Sequence, residues 1–297
     1  MECKTLRAVE FFSGIGAFSE ACRDSQIEVI AAFDQNGKAN EVFAHNFSLR
    51  PQAKNLDTIA ASDIPEAEIW WMSPPCTPYS RRGKQLDDQD ARALCLLKLI
   101  ELLAARLPAF LMLENVSGFV GSRVHEKLKC ALDANGYTYS QVSLCSTELG
   151  VPMRRPRFFI AACRNGNLKP FVKGTADPQA NLLRHYLTSD EESLLVPEEI
   201  VEKYWAVLNI VDPQEDNAKV ICFTRGYNRC RKASGSLIKA KTEGRVRFVA
   251  PEEILSLLGF SSRFQMPSNI SRDVAWRLVG NSVDVRAVRA LIQTLPI

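Results

Sequence analysis

No apolar run in the chain approaches the ~18–20 residues that a membrane-spanning helix needs, so no membrane partner is expected. Closely spaced cysteine pairs are also missing. The nine cysteines are odd in number and scattered without a C-x-x-C, which makes a poor disulfide framework and a poor zinc site. No metal is expected, and most of these thiols read as small core residues in a reduced compartment. There is neither an internal repeat nor a low-complexity tract, and 46% hydrophobic with 24% charged residues is ordinary globular composition. That excludes a mainly disordered or fibrous protein. The chain enters a strand-like run at once, without an apolar signal region or an Arg/Ser-rich transit segment, so a cytoplasmic location is expected. An excess of one charge is absent too: 37 basic residues stand against 34 acidic, a net +3.

What is present is rhythm. Residues 6–12, 27–33, 68–72, 109–113, 139–144 and 157–163 read as strands, and 18–23, 39–46, 91–105 and 125–135 as helices. Alternating βα units predict an α/β fold with a doubly wound, mainly parallel sheet. Ligands of such sheets sit beyond the carboxyl ends of the strands. Gly14, Asp34, Cys76 and Glu114 all fall just after predicted strands. From 165 to 244 the rhythm breaks, although 187–208 reads as an acidic helix. Residues 174–216 hold ten acidic residues and two basic ones, Arg184 and Lys203; residues 222–247 hold eight basic and one acidic, Glu243. The basic stretch reads either as a polyanion-binding face or as a solvated one. Helical patterns return at 251–258, 271–278 and 283–295.

Four constellations carry chemistry. Phe12-Ser13-Gly14-Ile15-Gly16-Ala17, with Asp34 after the next strand, suits a nucleotide ribose or a tight strand-to-helix turn. The third glycine of a dinucleotide fingerprint is missing, because Ser19 stands there. Ser73-Pro74-Pro75-Cys76 places a cysteine on a stiff turn, followed by the cations Arg81, Arg82 and Lys84. It reads as a nucleophile or as a core thiol. Glu114-Asn115-Val116 offers a proton-transferring carboxyl or a helix cap. Arg154-Arg155-Pro156-Arg157 offers anion-binding forks or a solvated strand start.

In their order and spacing these pieces resemble the cytosine-C5 methyltransferases of the DNA methyltransferase family over nearly the whole chain. Phe12–Gly16 resembles the first cofactor motif, Pro74-Pro75-Cys76 the nucleophile motif, Glu114-Asn115-Val116 the acid motif and Arg155-Pro156-Arg157 the R-x-R motif. Arg247 through Gly259-Phe260 and Gly280-Asn281-Ser282-Val283 resemble the last two. The stretch 39–47 and Cys222-Phe223-Thr224 with Gly235-Ser236 resemble the branch that methylates transfer RNA in its anticodon loop. Thr77-Pro78-Tyr79 and Ala17 depart mildly from the family pattern.

The resemblance implies a Rossmann-like methyltransferase sheet with a small variable target-recognition region. Its expected divisions are a cofactor-binding and catalytic domain at 1–164, target recognition at 165–246, and C-terminal helices at 247–297 returning to the catalytic domain. It implies S-adenosylmethionine as donor, with S-adenosylhomocysteine as product, and a nucleic-acid substrate, tRNA in preference to DNA. Cys76, Glu114, Arg155 and Arg157 would be catalytic. Phe12, Ser13, Gly14, Ile15, Gly16, Ala17, Asp34, Asp57, Thr58, Ile59, Ser73, Asn281 and Val283 would bind the cofactor. Substrate contacts would come from Arg81, Arg82, Lys84, Cys222, Phe223, Thr224, Arg225, Arg229, Arg231 and Lys232. A non-catalytic nucleic-acid binder on the same fold would be expected to lose the cysteine or the glutamate, and both are present.

Overall fold

The computed structural model describes residues 5–80, 85–172, 182–229, 234–242 and 244–297. Its first elements follow the expected alternation: β1 (Leu6–Phe11), α1 (Ala17–Cys22), β2 (Ile27–Phe33), α2 (Gly37–Asn46), β3 (Ile69–Met72), α3 (Leu94–Arg106), β4 (Phe110–Asn115), α4 (Arg123–Ala134), β5 (Thr138–Cys145), β6 (Met153–Arg154) and β7 (Pro156–Cys163). Six strands form one sheet in the order β2-β1-β3-β4-β7-β5. The pairs β1–β2, β1–β3 and β3–β4 are parallel, and β4–β7 is antiparallel. Strands covered on both faces need continuous apolar sequence. Ile69-Trp70-Trp71-Met72 supplies it, with every residue buried. Phe11 stacks on Phe33 at 5.4 Å and meets the Trp70 ring edge-on at 5.0 Å. Two helices start on side-chain caps: the Asn36 carboxamide accepts the Lys38 and Ala39 amides, and the Ser122 hydroxyl accepts the His125 amide.

The chain divides into two compact units. The first holds 1–144, 156–172 and 288–297; the second holds 145–155 and 173–287. The expected segment 247–297 is therefore divided at 287/288. The second unit contains α5 (Glu198–Tyr204), β8 (Ile210–Val211), β9 (Val220–Ile221), β10 (Leu237–Lys239), β11 (Val246–Arg247), α6 (Pro251–Leu257) and α7 (Arg272–Asn281), and α8 (Val285–Ile292) runs across the division. α7 is held within this unit by Trp276, whose indole packs on Phe248 and donates to the Val249 carbonyl at 2.8 Å. The predicted helix over 187–208 shrinks to α5. Pro197 forces the residue before it to be extended, and Val196 instead donates its amide to Val246 O at 2.9 Å.

The two charged stretches pair in part within this unit. Lys239 pairs with Asp212 at 2.9 Å, Lys241 with Asp190 at 2.6 Å and Arg245 with Glu198 at 3.4 Å. Arg247 is buried and bidentate to Glu253, at 2.8 and 2.9 Å. Half of the eight basic residues expected to face a polyanion are thus matched by carboxylates. Among the described residues, no helix is long and apolar enough to cross a membrane.

Glu10, in the middle of β1, is 1% exposed and accepts the Ser19 hydroxyl at 2.5 Å. Burial pushes its carboxyl up from 4.5 to about 8, while the Ser19 hydroxyl and the Phe18 and Ser19 amides pull it partly back. In the folded protein Glu10 keeps its proton to about pH 8, whereas the unfolded chain releases it near 4.5. The folded state holds the extra proton between those values, so stability falls as pH rises through that window and then levels. Glu10→Gln should leave the unfolding free energy unchanged near pH 4 and raise it by about 2–4 kcal/mol at pH 9. Urea unfolding across pH checks this.

Candidate active site

The register of the sheet brings the sequence motifs to one rim of the first unit. β1 ends beside β3 with Phe11 opposite Met72, and β3 ends beside β4 with Met72 opposite Leu113. Phe12–Gly16 and Ser73–Cys76 lie just beyond these ends, and Glu114-Asn115 are the last two residues of β4. Bonds across the strand ends fix them together. The Ser73 hydroxyl donates to Phe12 O at 3.0 Å, the Ser13 amide to Phe33 O at 3.0 Å, and the Asn115 carboxamide to Pro74 O at 3.3 Å.

The glycine loop turns through left-handed conformations at Phe12 (φ 57°), Gly14 (φ 54°) and Gly16 (φ 92°). A non-glycine residue there is uncommon and marks functional loops. A side chain at Gly16 would strike the Phe43 and Phe47 rings, whereas the space beside Gly14 is open. Asp34 braces the loop: its carboxylate accepts the Gly14 amide at 2.8 Å and the Asn36 amide at 2.8 Å. Burial raises its carboxyl above the ordinary value, opposed by those two amides. Beyond β2 the chain continues along the same edge, where the Asp34 amide donates to Gln52 O at 3.2 Å, and leads to Asp57, Thr58 and Ile59. The Ser13 hydroxyl and one Asp57 carboxylate oxygen are buried without a hydrogen-bond partner among the described residues. Buried polar atoms without partners are costly. The Ser13 hydroxyl, within the open glycine loop itself, fits a polar cofactor such as a nucleoside. Ile15, Ala17 and Ile59 are buried. Asn281 and Val283 lie in the second unit; Asn281 is the exposed end of α7 and Val283 is buried.

Cys76 is exposed on the turn after β3, where its carbonyl accepts the amides of Tyr79 and Ser80 at 3.0 and 2.9 Å. Glu114 is largely buried at the end of β4, and Arg157 Nε lies 3.0 Å from its Oε1. A thiol, a carboxyl and a guanidinium at neighbouring strand ends form a set able to attack a heterocycle, exchange a proton with a ring nitrogen and hold a ring carbonyl.

The two arginines of the R-x-R motif part company. Its guanidinium, 2% exposed, donates to Cys222 Sγ and Phe223 O at 3.0 Å, to Gly280 O at 3.3 Å and to Ser282 O. It ties the tripeptide Cys222-Phe223-Thr224 to the last motif inside the second unit. A buried cation needs such partners. Phe223 is likewise interior, 1% exposed against the Tyr227 ring, and the half-buried Cys222 is engaged by Arg155. Thr224 turns the chain, its carbonyl accepting the Tyr227 amide at 3.0 Å. Arg225 and Arg229 are exposed and form no ion pair among the described residues. Arg81, Arg82, Lys84, Arg231 and Lys232 lie outside the described residues. Sequence reading passed over Asn115 and Gly118 as site residues. A side chain on Gly118 would fall 2.2 Å from the Tyr79 carbonyl, so this glycine lets the cysteine-bearing segment lie against the one that follows Glu114. Only a glycine four residues after the acid hinted at that.

Known proteins resemble this chain over nearly its whole length. The model of the C-5 cytosine-specific DNA methylase family matches residues 6–296. A tRNA (cytosine(38)-C(5))-methyltransferase of Spodoptera frugiperda is 30% identical, covering 97% of this chain and 98% of the relative. A DNA (cytosine-5)-methyltransferase of Dictyostelium discoideum is 26% identical over 98% of this chain and 94% of its own length. The crystal structure of the Schizosaccharomyces pombe Dnmt2 methyltransferase superposes with a TM-score of 0.87 at 26% identity, covering 97% of each chain.

Proposed function

The chain belongs to the C-5 cytosine-specific DNA methylase family, and on that premise we propose that this cytosine-5 methyltransferase acts on a cytosine in a tRNA anticodon loop, through a covalent bond from Cys76 to C6. The observation that carries the chemistry is the pairing of neighbouring strand ends, with Cys76 leaving β3 and Glu114 leaving β4 beside a cradle braced by Asp34. When bound, S-adenosylmethionine supplies an electrophilic methyl group. Asp34 is the group for the ribose hydroxyls, and Ser13 and Asp57 offer the unpartnered polar atoms.

C5 of cytosine is a weak nucleophile in an aromatic ring. Addition of the Cys76 thiolate to C6 removes the aromaticity and pushes electron density through C5 and toward N3 and O2. Glu114 donates to N3, and Arg157, held on Glu114, steadies the charge that develops at O2. After transfer to C5 the C5 proton passes to water, the N3 proton returns to Glu114 and the Cys76 thiolate is expelled, restoring the ring.

The preference for tRNA rests on two supports. The Spodoptera frugiperda relative is named for a tRNA cytosine. A loop base also costs less to unstack than a paired one. The Dictyostelium discoideum relative, named for DNA, supplies the second reading. Incorporation of tritiated methyl groups into tRNA and duplex DNA decides between them. We expect tRNA to be methylated about tenfold faster or more, with bisulfite sequencing locating the base in the anticodon loop. DNA as the better substrate overturns the tRNA assignment.

A further inference from the structure

Cys76 and Glu114 sit on different strands, so their separation depends on what holds the cysteine-bearing segment in place. That segment leaves β3 at Ser73 and comes back past residue 85 toward α3. Its outgoing leg is fixed at two points. Asn115 holds Pro74 O, and the Tyr79 carbonyl lies in the gap that Gly118 leaves open, with the Tyr79 ring edge-on to Phe119 at 4.9 Å. Both points belong to the stretch that begins with Glu114.

The return leg is fixed by Asp87. Its carboxylate accepts the Arg123 amide at 2.6 Å and the Val124 amide at 3.3 Å, which are the first two residues of α4. Its own amide donates to Pro78 O at 3.4 Å. Asp87 is held at φ 53°, a conformation few side chains adopt and aspartate tolerates better than most. Next to it, Asp88 lies 3.3 Å from both Arg123 Nη1 and Lys127 Nζ on the same helix. The unsatisfied amides and positive pole of a helix N-terminus favour a carboxylate there. α4 starts eight residues after Asn115, so one short piece of chain carries Glu114, receives Tyr79 and anchors Asp87.

We propose that Asp87 is a positioning residue for Cys76, locking the return leg of the nucleophile's segment onto α4 so that thiol and carboxyl stay in register. This rests on the covalent mechanism above. Among the described residues the bonds of Asp87 run to α4 and Pro78, so the lock is expected to act on the cysteine step.

The test uses the full-length protein, S-adenosylmethionine and a tRNA transcribed with 5-fluorocytidine in place of cytidine. Fluorine cannot leave from C5 as the proton does, so the Cys76 adduct persists and its rate of formation reports the position of the thiol. Asp87→Gly keeps the left-handed backbone and removes the carboxylate. It should slow adduct formation about tenfold or more, with S-adenosylmethionine affinity unchanged. Asp87→Asn, which keeps an acceptor without the charge, should fall between it and the wild type. Wild-type rates in Asp87→Gly, or a loss of cofactor affinity as large as the loss of rate, overturn the proposal. If Asp87→Gly does not fold, Asp87→Asn decides: slowed trapping with intact cofactor binding supports the lock, and an unchanged rate removes it. A wild-type protein that forms no adduct removes the mechanism on which the proposal rests, a result distinct from an adduct formed equally fast by the variants.

Discussion

Cys76→Ala is expected to reduce methyl transfer by more than about 10⁴-fold while leaving cofactor and RNA binding in place. The size follows from the chemistry. Without an adduct at C6, C5 has no enamine character and the aromatic ring must be broken by the methyl group alone. The location predicts that the effect is confined to rate. Cys76 is exposed on a turn whose hydrogen bonds run through its backbone carbonyl, which alanine retains, and the surrounding prolines hold that turn whatever the side chain. Single-turnover incorporation, paired with binding of S-adenosylhomocysteine by calorimetry, separates the two quantities. Transfer that survives the substitution would sink the covalent scheme.

Glu114→Gln should cost ~10²–10⁴-fold in rate, and its second effect is structural. Glu114 and Arg157 are 12% and 15% exposed at 3.0 Å, so removal of the carboxylate leaves a largely buried guanidinium without its counter-charge. Breaking a buried pair from one side destabilises by about 3–5 kcal/mol, with the lower end fitting a pair that keeps some exposure. Arg157→Ala should lower the rate too, because the group that steadies O2 is lost. The double substitution should be less harmful than the two single effects combined, in both rate and stability, because each single variant strands the other partner. A double-mutant cycle read by urea unfolding and single-turnover kinetics measures this coupling; strict additivity would mean that the two side chains act separately.

The parts of the site readable in sequence were those in which local pattern and chemistry coincide. β3 is an unbroken apolar run ended by two prolines, so Cys76 had to emerge at a strand end. Glu114 and Gly14 were placed by the same logic. Arg155 and Arg157 could not be separated, since the two are alike in chemistry and only two residues apart. Their roles depend on partners 67 to 127 residues away from Arg155 and on Glu114 for Arg157. The acidic and basic stretches read as independent surfaces, because the pairing of Asp190 with Lys241 spans 51 residues and leaves no local trace. The helix over 187–208 was overextended because its leucine and glutamate spacing outweighed one proline. Asp87 drew no notice in the sequence, because its partners, the first amides of α4, lie 36 and 37 residues away.

The bonds of Arg155 bear on the order in which the protein is made. Its guanidinium is completed by carbonyls at 280 and 282, and in the first unit the Lys169 amide is completed by Thr294 O at 2.7 Å. Each unit therefore closes on residues that leave the ribosome more than a hundred positions after the group they satisfy. At synthesis rates of about 5–20 residues per second, the nascent chain spends several seconds or more with Arg155 lacking those two acceptors. During that interval the partly built sheet is exposed to chaperones, and a ribosome stalled before residue 280 would carry two unfinished units rather than one finished and one pending.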